Sequence, residues 1–172
     1  MIERNLKKAK EGSLLMETVY IETTIPSFYF EVRKEPEMVA RRNWTCHWWD
    51  ECGKTDYDKV TSQAVIDELS RGLFAGKDNA LRLISDLELL PVVVEIEEIV
   101  AVYLSHYLMP KDAVGDALHL AIASYYGCDY LLTWNCRHLA NANKYRHIRR
   151  INAMMDLVTP NLVTPLELLQ GE

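Results

Sequence analysis

The acidic residues best placed for chemistry in this sequence lie directly after a predicted strand or on predicted helices. Glu22 follows the β-branched and aromatic run at residues 18–21, Glu68 lies in a helix-like segment, and Asp116 opens an almost wholly apolar helix. A carboxylate that opens a buried helix needs a partner, because burying an unpaired charge is costly. That partner can be a metal ion or the positive end of the helix, and both interpretations stay open.

Polar residues also follow a second predicted strand. The run at residues 130–134 indicates a strand, and Thr133 and Asn135 lie at its carboxyl end. In open α/β sheets, sites form in the crevice beyond the carboxyl ends of the strands. We therefore expect the three acids to point into one cleft, beside these two polar side chains.

Each candidate residue also has a purely structural interpretation. Glu68 lies beside Asp67, and either acid can be an exposed residue on a helix. Glu22 can be a solvated carboxylate at a turn, and Asn135 can cap the helix that follows it. His119, three residues after Asp116, can touch the site, but a position at the edge of the core is the expectation.

The elements that must position these residues alternate along the chain. Strand-like and helix-like segments follow one another, and no internal repeat or linker divides them. This alternation predicts an α/β domain with a mainly parallel central sheet and helices on both faces. The predicted strands are 18–21, 59–61, 91–94, 130–134 and 162–164, and the predicted helices are 36–54, 64–72, 79–90, 96–108, 113–126 and a basic stretch after residue 135.

The composition is that of a soluble globular protein. The chain has 172 residues, 49% hydrophobic and 26% charged, which suffices for one domain with a full core. No apolar stretch approaches the length needed to cross a membrane, and the N-terminus lacks the pattern of a secretory signal. We therefore expect a cytoplasmic protein, with residues 1–17 as a lead-in segment and residues 18–169 as the folded domain.

The net charge and the cysteines argue against two classes of protein. A formal charge of −6 is unlike that of a protein that coats nucleic acid through its overall charge. The four cysteines form no CxxC pair, and no histidine lies at zinc-ligand spacing from any of them. Neither observation excludes an enzyme whose acids are concentrated in one site.

One stretch of the chain is basic although the whole chain is acidic. No acidic residue lies between Asn135 and Met155, and Arg146, Arg149 and Arg150 are spaced to share one helical face. The opposite face can bury apolar side chains, which would fix the arginines outward. We expect the three arginines to form a phosphate-contacting stripe, the alternative being a solvated basic face without a ligand.

Four motifs, in this order, resemble those of the PIN domain family. Residues 19–24, VYIETT, look like its first strand, which ends in an acid followed by a small hydroxyl residue. Residues 62–69, SQAVIDEL, are similar to its second motif, and residues 116–121, DALHLA, match its third motif closely. Residues 131–135, LLTWN, resemble its fourth motif, a strand that ends in Thr-x-Asp. The resemblance spans about residues 19–166 and implies a single PIN-like domain.

The resemblance implies an endoribonuclease that depends on Mg²⁺ or Mn²⁺ and hydrolyses RNA phosphodiester bonds. Oxygen ligands suit these ions rather than zinc, and a bound ion polarises the phosphate and activates water. Glu22 and Asp116 are the expected direct ligands, and Glu68 is a ligand through water or the base that orients the nucleophile. Asn135 and Thr133 would arrange waters or the phosphate, and the arginine stripe would contact the RNA.

Two residues depart from the family pattern. Glu22 is one methylene longer than the usual aspartate, and Asn135 stands where the fourth aspartate is usual. The amide of Asn135 removes one negative charge, which weakens the expectation of a second metal ion. The alternative to an active ribonuclease is therefore a catalytically weakened PIN-fold module that binds RNA or protein.

The resemblance extends to small ribonuclease toxins of the VapC type, which belong to type II toxin–antitoxin systems. In those proteins an antitoxin segment binds the helices after the first strand, which makes the region between Phe28 and Lys54 the candidate partner surface. A homodimer is also expected. Trp44 and Trp48 lie at helical spacing and are expected to pack rather than to stack on bases, although with Trp49 they can form an adhesive surface.

Overall fold

The structure, a computed structural model, describes residues 16–110 and 114–169. Most of the predicted lead-in segment, residues 1–17, lies outside the described residues, and Glu17 belongs to the first strand. Ala113, the first residue of the predicted apolar helix, also lies outside them. Among the described residues, none of the helices has the length and apolar character that a membrane span requires.

Strands and helices alternate along the chain, as the sequence pattern predicts. The strands are β1 (Glu17–Ile21), β2 (Tyr57–Ser62), β3 (Glu88–Leu90), β4 (Tyr130–Leu132) and β5 (Asn161–Val163). The helices are α1 (Thr24–Tyr29), α2 (Pro36–His47), α3 (Gln63–Arg71), α4 (Lys77–Leu83), α5 (Val94–Ser105), α6 (Val114–Tyr125) and α7 (Ala142–Met154). The chain after α2 continues as a π-helical segment (Trp48–Cys52) and a helical turn (Gly53–Thr55), and a 3-10 helix (Pro165–Leu168) follows β5.

The five strands form one parallel sheet in the order β3-β2-β1-β4-β5, which confirms the predicted fold class. β1 is the central strand, and its residues Val19, Tyr20 and Ile21 are fully buried. A strand covered on both faces needs a continuous apolar run rather than alternation, and this segment has such a run. Crossovers between parallel strands are right-handed, and the strand order changes direction at β1, so helices cover both faces of the sheet.

The helix α6 is buried along most of its length. Its buried apolar residues are Ala117, Leu120, Ala121, Ile122 and Ala123. It packs against α5 and also contacts α3, the helix that carries Glu68. A helix that is apolar on most sides is stable only inside a protein, and α6 therefore carries Asp116 and His119 into the interior.

The chain around Pro91 departs from the prediction. The predicted strand over residues 91–94 is wrong, and the predicted helix over residues 79–90 is only partly right, because α4 ends at Leu83 and β3 follows it. Pro91 has no amide hydrogen to donate to a strand ladder. Leu90 is 2% exposed, whereas Val94 is 65% exposed and begins α5. The valine-rich run after Pro91 therefore places the predicted strand three residues after the start of β3.

The short helix α1 is a second departure, because the sequence predicts only a turn after the first strand. Pro26 is the third residue of α1, and a proline in the first turn removes no hydrogen bond within the helix. The helix begins at Thr24, two residues after Glu22. Its first turn therefore supplies hydrogen-bond donors to the site described below.

Candidate active site

The site lies at the carboxyl ends of the neighbouring strands β1 and β4. Ile21 and Leu132 are paired across these strands, and the peptide nitrogen of Glu22 continues the ladder by donating to the Leu132 carbonyl at 3.2 Å. This pairing brings the next residues of both strands, Glu22 and Thr133, to one edge. The Thr133 hydroxyl donates to Glu22 Oε2 at 2.7 Å. The parallel register thus joins two of the predicted site residues directly.

The carboxylate of Glu22 is fixed by three donors to one of its oxygens. The peptide N–H and the hydroxyl of Thr24 lie 3.1 and 2.5 Å from Oε2, in addition to the Thr133 hydroxyl. Glu22 is 4% exposed, and burial raises the pKa of its carboxyl group although the charge of His119 and these hydrogen bonds oppose the shift. Within the described residues Oε1 has no hydrogen bond, so it is the oxygen that can bind a ligand.

Glu68 and His119 form a second part of the site. His119 Nε2 lies 3.2 Å from Glu68 Oε2, and the Thr23 hydroxyl donates to the same oxygen at 2.7 Å. On the other side of the imidazole ring, Nδ1 lies 2.8 Å from the Tyr20 hydroxyl, which lies 2.7 Å from Ser62 Oγ. His119 is 1% exposed. This chain of polar contacts fixes both the position and the orientation of the ring.

The charges of Glu68 and His119 support each other. Burial lowers the pKa of His119, but the hydrogen bond to Glu68 and the charges of the nearby carboxylates outweigh it, and the pKa is raised. Burial raises the pKa of Glu68, but its hydrogen bond to His119 and that cation outweigh it, and the pKa is lowered. Both directions favour an imidazolium–carboxylate pair in the metal-free protein.

Asp116 is held by Asn135. The Asn135 side-chain nitrogen donates to Asp116 Oδ1 at 2.8 Å, and its oxygen accepts the His138 peptide N–H at 3.0 Å. Both ends of the amide are therefore engaged, which gives Asn135 the capping role and a positioning role at once. Burial raises the pKa of Asp116, although the hydrogen bond from Asn135 opposes the shift.

The donor atoms fit a divalent metal ion. Possible ligand atoms of Glu22, Glu68 and His119 all lie within 4.8 Å of one another. Metal–donor bonds are about 2.0–2.2 Å long, so His119 Nε2 and Glu68 Oε2, 3.2 Å apart, can both reach one ion. A Cβ atom at Gly115 would lie 2.6 Å from Glu68 Oε1, so the glycine leaves room for that carboxylate.

Comparison with known protein families matches residues 19–145 to the PIN domain. The match covers most of the chain and includes every residue of the site described above. The chain belongs to the PIN domain family. No curated protein matches the chain. PIN domains are generally metal-dependent nucleases, and the cluster of two glutamates and a histidine is the candidate metal site of this one.

The sequence predicts most of the polar residues of the site in this PIN domain, but it does not place His119 among the site residues. Glu22, Glu68 and Thr133 meet at the strand ends, and Asp116 interacts electrostatically with Glu68 without belonging to the metal-binding group. The sequence predicts His119 at the edge of the core, whereas the structure places it inside the site, next to Glu68. The available signal was its position one helical turn after Asp116, which places both side chains on the same side of α6.

The arginine stripe lies on the exposed side of α7. Arg146, Arg149 and Arg150 are exposed, while Ile148 and Ile151 are buried on the other side of the helix. The contact of these arginines with RNA stays a prediction.

Lys144, one turn before Ile148 on α7, interacts with Asp116 through its charge. Its Nζ lies 3.3 Å from the Leu108 carbonyl and 3.4 Å from His138 Nδ1. Burial lowers the pKa of Lys144, and the charge of Asp116 opposes that shift. The charges of Lys144 and Asp116 therefore attract each other across the edge of the candidate site.

Proposed function

We propose that this protein is a divalent-metal-dependent endoribonuclease. The observation that carries the proposal is the convergence of Glu22, Glu68 and His119 within 4.8 Å at the carboxyl edge of the sheet. Membership of the PIN family supports the nuclease class. The motifs that resemble those of ribonuclease toxins favour RNA as the substrate.

Some side chains of the site would bind the ion, and others hold those ligands in position by hydrogen bonds. A bound Mg²⁺ or Mn²⁺ would polarise the scissile phosphate and lower the pKa of the attacking water. Glu22 presents Oε1, because Thr24 and Thr133 hold Oε2. Glu68 presents its carboxylate between the Thr23 hydroxyl and His119. We assign these two carboxylates as ligands of the ion.

We assign His119 as a third ligand through Nε2. When Nδ1–H donates to the Tyr20 hydroxyl, the lone pair of Nε2 points toward Glu68, which is the arrangement that an outer hydrogen bond gives to a ligating histidine. Imidazole nitrogen suits transition metals better than it suits Mg²⁺. The mixed donor set therefore favours Mn²⁺ over Mg²⁺.

Asp116 would orient the attacking water rather than bind the ion directly. It lies outside the metal-binding group, and the Asn135 amide holds one of its oxygens in place. Its raised pKa also suits a carboxylate that accepts a proton. The roles expected for Asp116 and Glu68 from the sequence are thus exchanged in this proposal.

The test uses single-stranded RNA and DNA of one sequence, incubated with MnCl₂, MgCl₂ or a chelator. We expect cleavage of RNA that needs metal and is lowered about 100-fold or more by Glu68→Gln. The matched control is Asp67→Asn, because Asp67 is the neighbouring acid on α3 and is exposed. Cleavage that survives the chelator, or that Glu68→Gln leaves unchanged, would reject the proposal.

The alternative function, an RNA- or protein-binding module without catalysis, is favoured by one observation. Both ends of the Asn135 amide are engaged where the family pattern has an acid, so the site has one fewer negative charge. The same assay separates the two functions. A module would bind RNA without cutting it at any metal concentration.

We further propose that the ribonuclease acts in the cytoplasm as the toxin of a toxin–antitoxin pair. The support is the resemblance to VapC-type toxins, in which an antitoxin would bind between Phe28 and Lys54 of a homodimer. Induced expression in a bacterial host should stop growth for the wild type and for Asp67→Asn, but not for Glu68→Gln. Normal growth with a protein that cleaves RNA in vitro would remove the toxin role and leave the nuclease.

A further inference from the structure

Three partly exposed side chains and one buried tryptophan ring, beside the candidate metal site, form an aromatic surface with a cation on it, which we call the aromatic shelf. It consists of Phe28, Arg41, Trp44 and Trp134. The rings of Trp44 and Trp134 stack with centroids 6.1 Å apart and planes inclined by 30°. The ring centroids of Phe28 and Trp134 lie 6.1 Å apart. The Arg41 guanidinium lies 5.6 Å from the Phe28 ring centroid and 5.4 Å from that of Trp134.

The shelf is connected to the metal site through short hydrogen bonds. Trp134 stands between Thr133 and Asn135 in the chain, and its peptide N–H donates to Thr24 Oγ1 at 2.8 Å. The same Thr24 hydroxyl donates to Glu22 Oε2. Phe28 follows Thr24 by one turn of α1, and residues four apart lie on one side of a helix. The shelf therefore begins one residue from the side chains that hold Glu22.

Arg41 carries donors that the protein does not use. A guanidinium has five N–H donors. In the described part of the chain, Arg41 makes no hydrogen bond or ion pair with its side chain, although it is half-buried and the protein as a whole is acidic. An arginine held over aromatic rings, with free donors, is suited to a planar or anionic ligand.

Two neighbouring tryptophans, Trp48 and Trp49, are buried and have only a packing role. Trp48 and Trp49 are 0% and 7% exposed, so they pack in the core and form no adhesive surface. Phe28, Arg41 and Trp44 keep part of their surface in solvent. Lys59 also lies over the Trp49 ring, so a cation alone does not distinguish the shelf. The shelf differs from the adjacent core by the exposure of three of its members and by its hydrogen bond to Thr24, which holds Glu22.

We propose that the aromatic shelf binds an unpaired base of single-stranded RNA next to the scissile phosphate. The inference rests on the proposed ribonuclease function and adds the means by which the substrate is held. Bases stack on aromatic rings and on arginine planes, and the positive charge of Arg41 complements the RNA backbone. The ligand is therefore a flexible single strand, because a base inside a duplex has no free face for stacking.

The first test compares two adjacent arginines of α2. RNA binding is measured by fluorescence anisotropy with a labelled single-stranded oligonucleotide, in the Glu68→Gln background so that the RNA stays intact. Arg41→Ala should weaken binding by about 5- to 100-fold. Arg42→Ala removes the same charge from the next, exposed position and should have a much smaller effect. Equal losses in the two variants would show that only overall charge matters and would overturn the proposal.

The second test uses oligonucleotides in which one base after another is removed, leaving the sugar and phosphate. In the Glu68→Gln protein, removing the base at one position should lower the affinity for the oligonucleotide. In the protein that carries both Glu68→Gln and Trp44→Leu, removing the same base should cause little further loss of affinity. Circular dichroism tests whether Trp44→Leu is folded, and Arg41→Ala provides the same comparison without changing a ring.

The outcomes of this scan separate the shelf from the nuclease. A scan without any sensitive position, in a protein that cleaves RNA, would overturn the shelf and leave the ribonuclease. Coupling between the abasic position and the shelf in a protein that cuts no RNA would support the shelf and reject the ribonuclease. If the shelf binds a protein partner instead, Arg41→Ala and Trp44→Leu will leave RNA affinity unchanged, which also overturns the proposal.

Discussion

His119 decides the character of the site at the scale of single residues. A centre made only of carboxylates offers hard oxygen donors, which Mg²⁺ and Mn²⁺ both accept. The Nε2 atom of His119, 3.2 Å from Glu68, adds a nitrogen donor that is fully enclosed. The Tyr20 hydroxyl at Nδ1 fixes which nitrogen faces the carboxylates. One buried imidazole therefore changes the expected metal preference without changing the fold.

We predict that His119→Gln lowers the affinity for Mn²⁺ by about tenfold or more and the affinity for Mg²⁺ by less, since the lost donor is a nitrogen. Isothermal titration calorimetry on the metal-free protein measures both affinities without any catalytic readout. His47→Gln is the control, because His47 is exposed on α2. Unchanged binding of both ions would show that His119 only supports the core.

Gly115 links the residue scale to the helix α6. A Cβ atom at this position would lie 2.6 Å from Glu68 Oε1, the mobile end of a side chain rather than backbone. We predict that Gly115→Ala displaces the Glu68 carboxylate and weakens Mn²⁺ binding. Alanine is favoured over glycine inside a helix by about 0.5–1 kcal/mol, so the thermal unfolding temperature should stay the same or rise slightly.

Glu68→Asp supplies the control for this variant, because its shorter side chain leaves room for the new methyl group. Glu68→Asp alone should weaken Mn²⁺ binding, and adding Gly115→Ala to it should cause little further loss in calorimetry. Additive losses in this double-mutant cycle would mean that the glycine acts elsewhere.

At the scale of elements, the sequence predicts the parts of the structure that local pattern determines. The continuous apolar run of β1 and the mostly apolar stretch of α6 are both where the sequence places them, because elements that are buried on most sides leave a clear signal in the sequence. The strand near Pro91 is misplaced, because the choice between Leu90 and the following valines depends on which side chains the sheet buries.

The role of His119 could not be read from local sequence for a related reason. Its partners are Tyr20 on β1 and Glu68 on α3, which lie 99 and 51 positions away in the chain. Periodicity indicates which side of α6 is buried, but it does not indicate that polar groups from two distant elements meet there. The same holds for Arg41, whose aromatic neighbours come from α1 and the segment after β4.

The helix α7 carries a prediction of its own, on the exposed stripe of Arg146, Arg149 and Arg150. Each phosphate contact with a single strand contributes about 0.7 to the slope of log affinity against log salt. We predict that replacing Arg149 and Arg150 by Ala lowers this slope by roughly one to one and a half, with Mn²⁺ binding unchanged. The measurement is RNA affinity at several salt concentrations in the Glu68→Gln background.

Two exposed cations elsewhere, Lys34 and Arg82, provide the matched control for the stripe. Replacing both by Ala removes the same charge, and we expect this variant to keep the wild-type salt slope. If the two double mutants have the same salt slope, the stripe has no direct contact with RNA, and the shelf and Lys144 are the remaining basic groups near the substrate path.

At the scale of the whole molecule, the protein gathers negative charge at one edge of its sheet although its net charge is already −6. The His119 cation balances part of that charge, and the Asn135 amide avoids adding to it. Burial still raises the pKa values of Glu22 and Asp116. In the metal-free protein, ionising Glu22 and Asp116 therefore costs free energy. A bound divalent cation would lower that cost.

This balance predicts opposite effects of Asp116→Asn with and without metal. Because the pKa of Asp116 is raised above its usual 3.8, its contribution to stability is full only below that value and is lost as the pH rises through the raised pKa. Near pH 7 its ionised form thus costs stability, while Asn at this position can still accept the hydrogen bond from Asn135.

In chelator, the thermal unfolding temperature of Asp116→Asn should equal or exceed that of the wild type. Added Mn²⁺ should stabilise the wild type by about 2.7 kcal/mol at a hundred times its dissociation constant and the variant by less, because an anion near the ion is gone. Differential scanning fluorimetry with a Mn²⁺ titration measures both effects, with Asp67→Asn as the control that should behave as wild type. A variant that melts lower in chelator and gains as much from Mn²⁺ as the wild type would show that Asp116 serves the fold rather than the metal site.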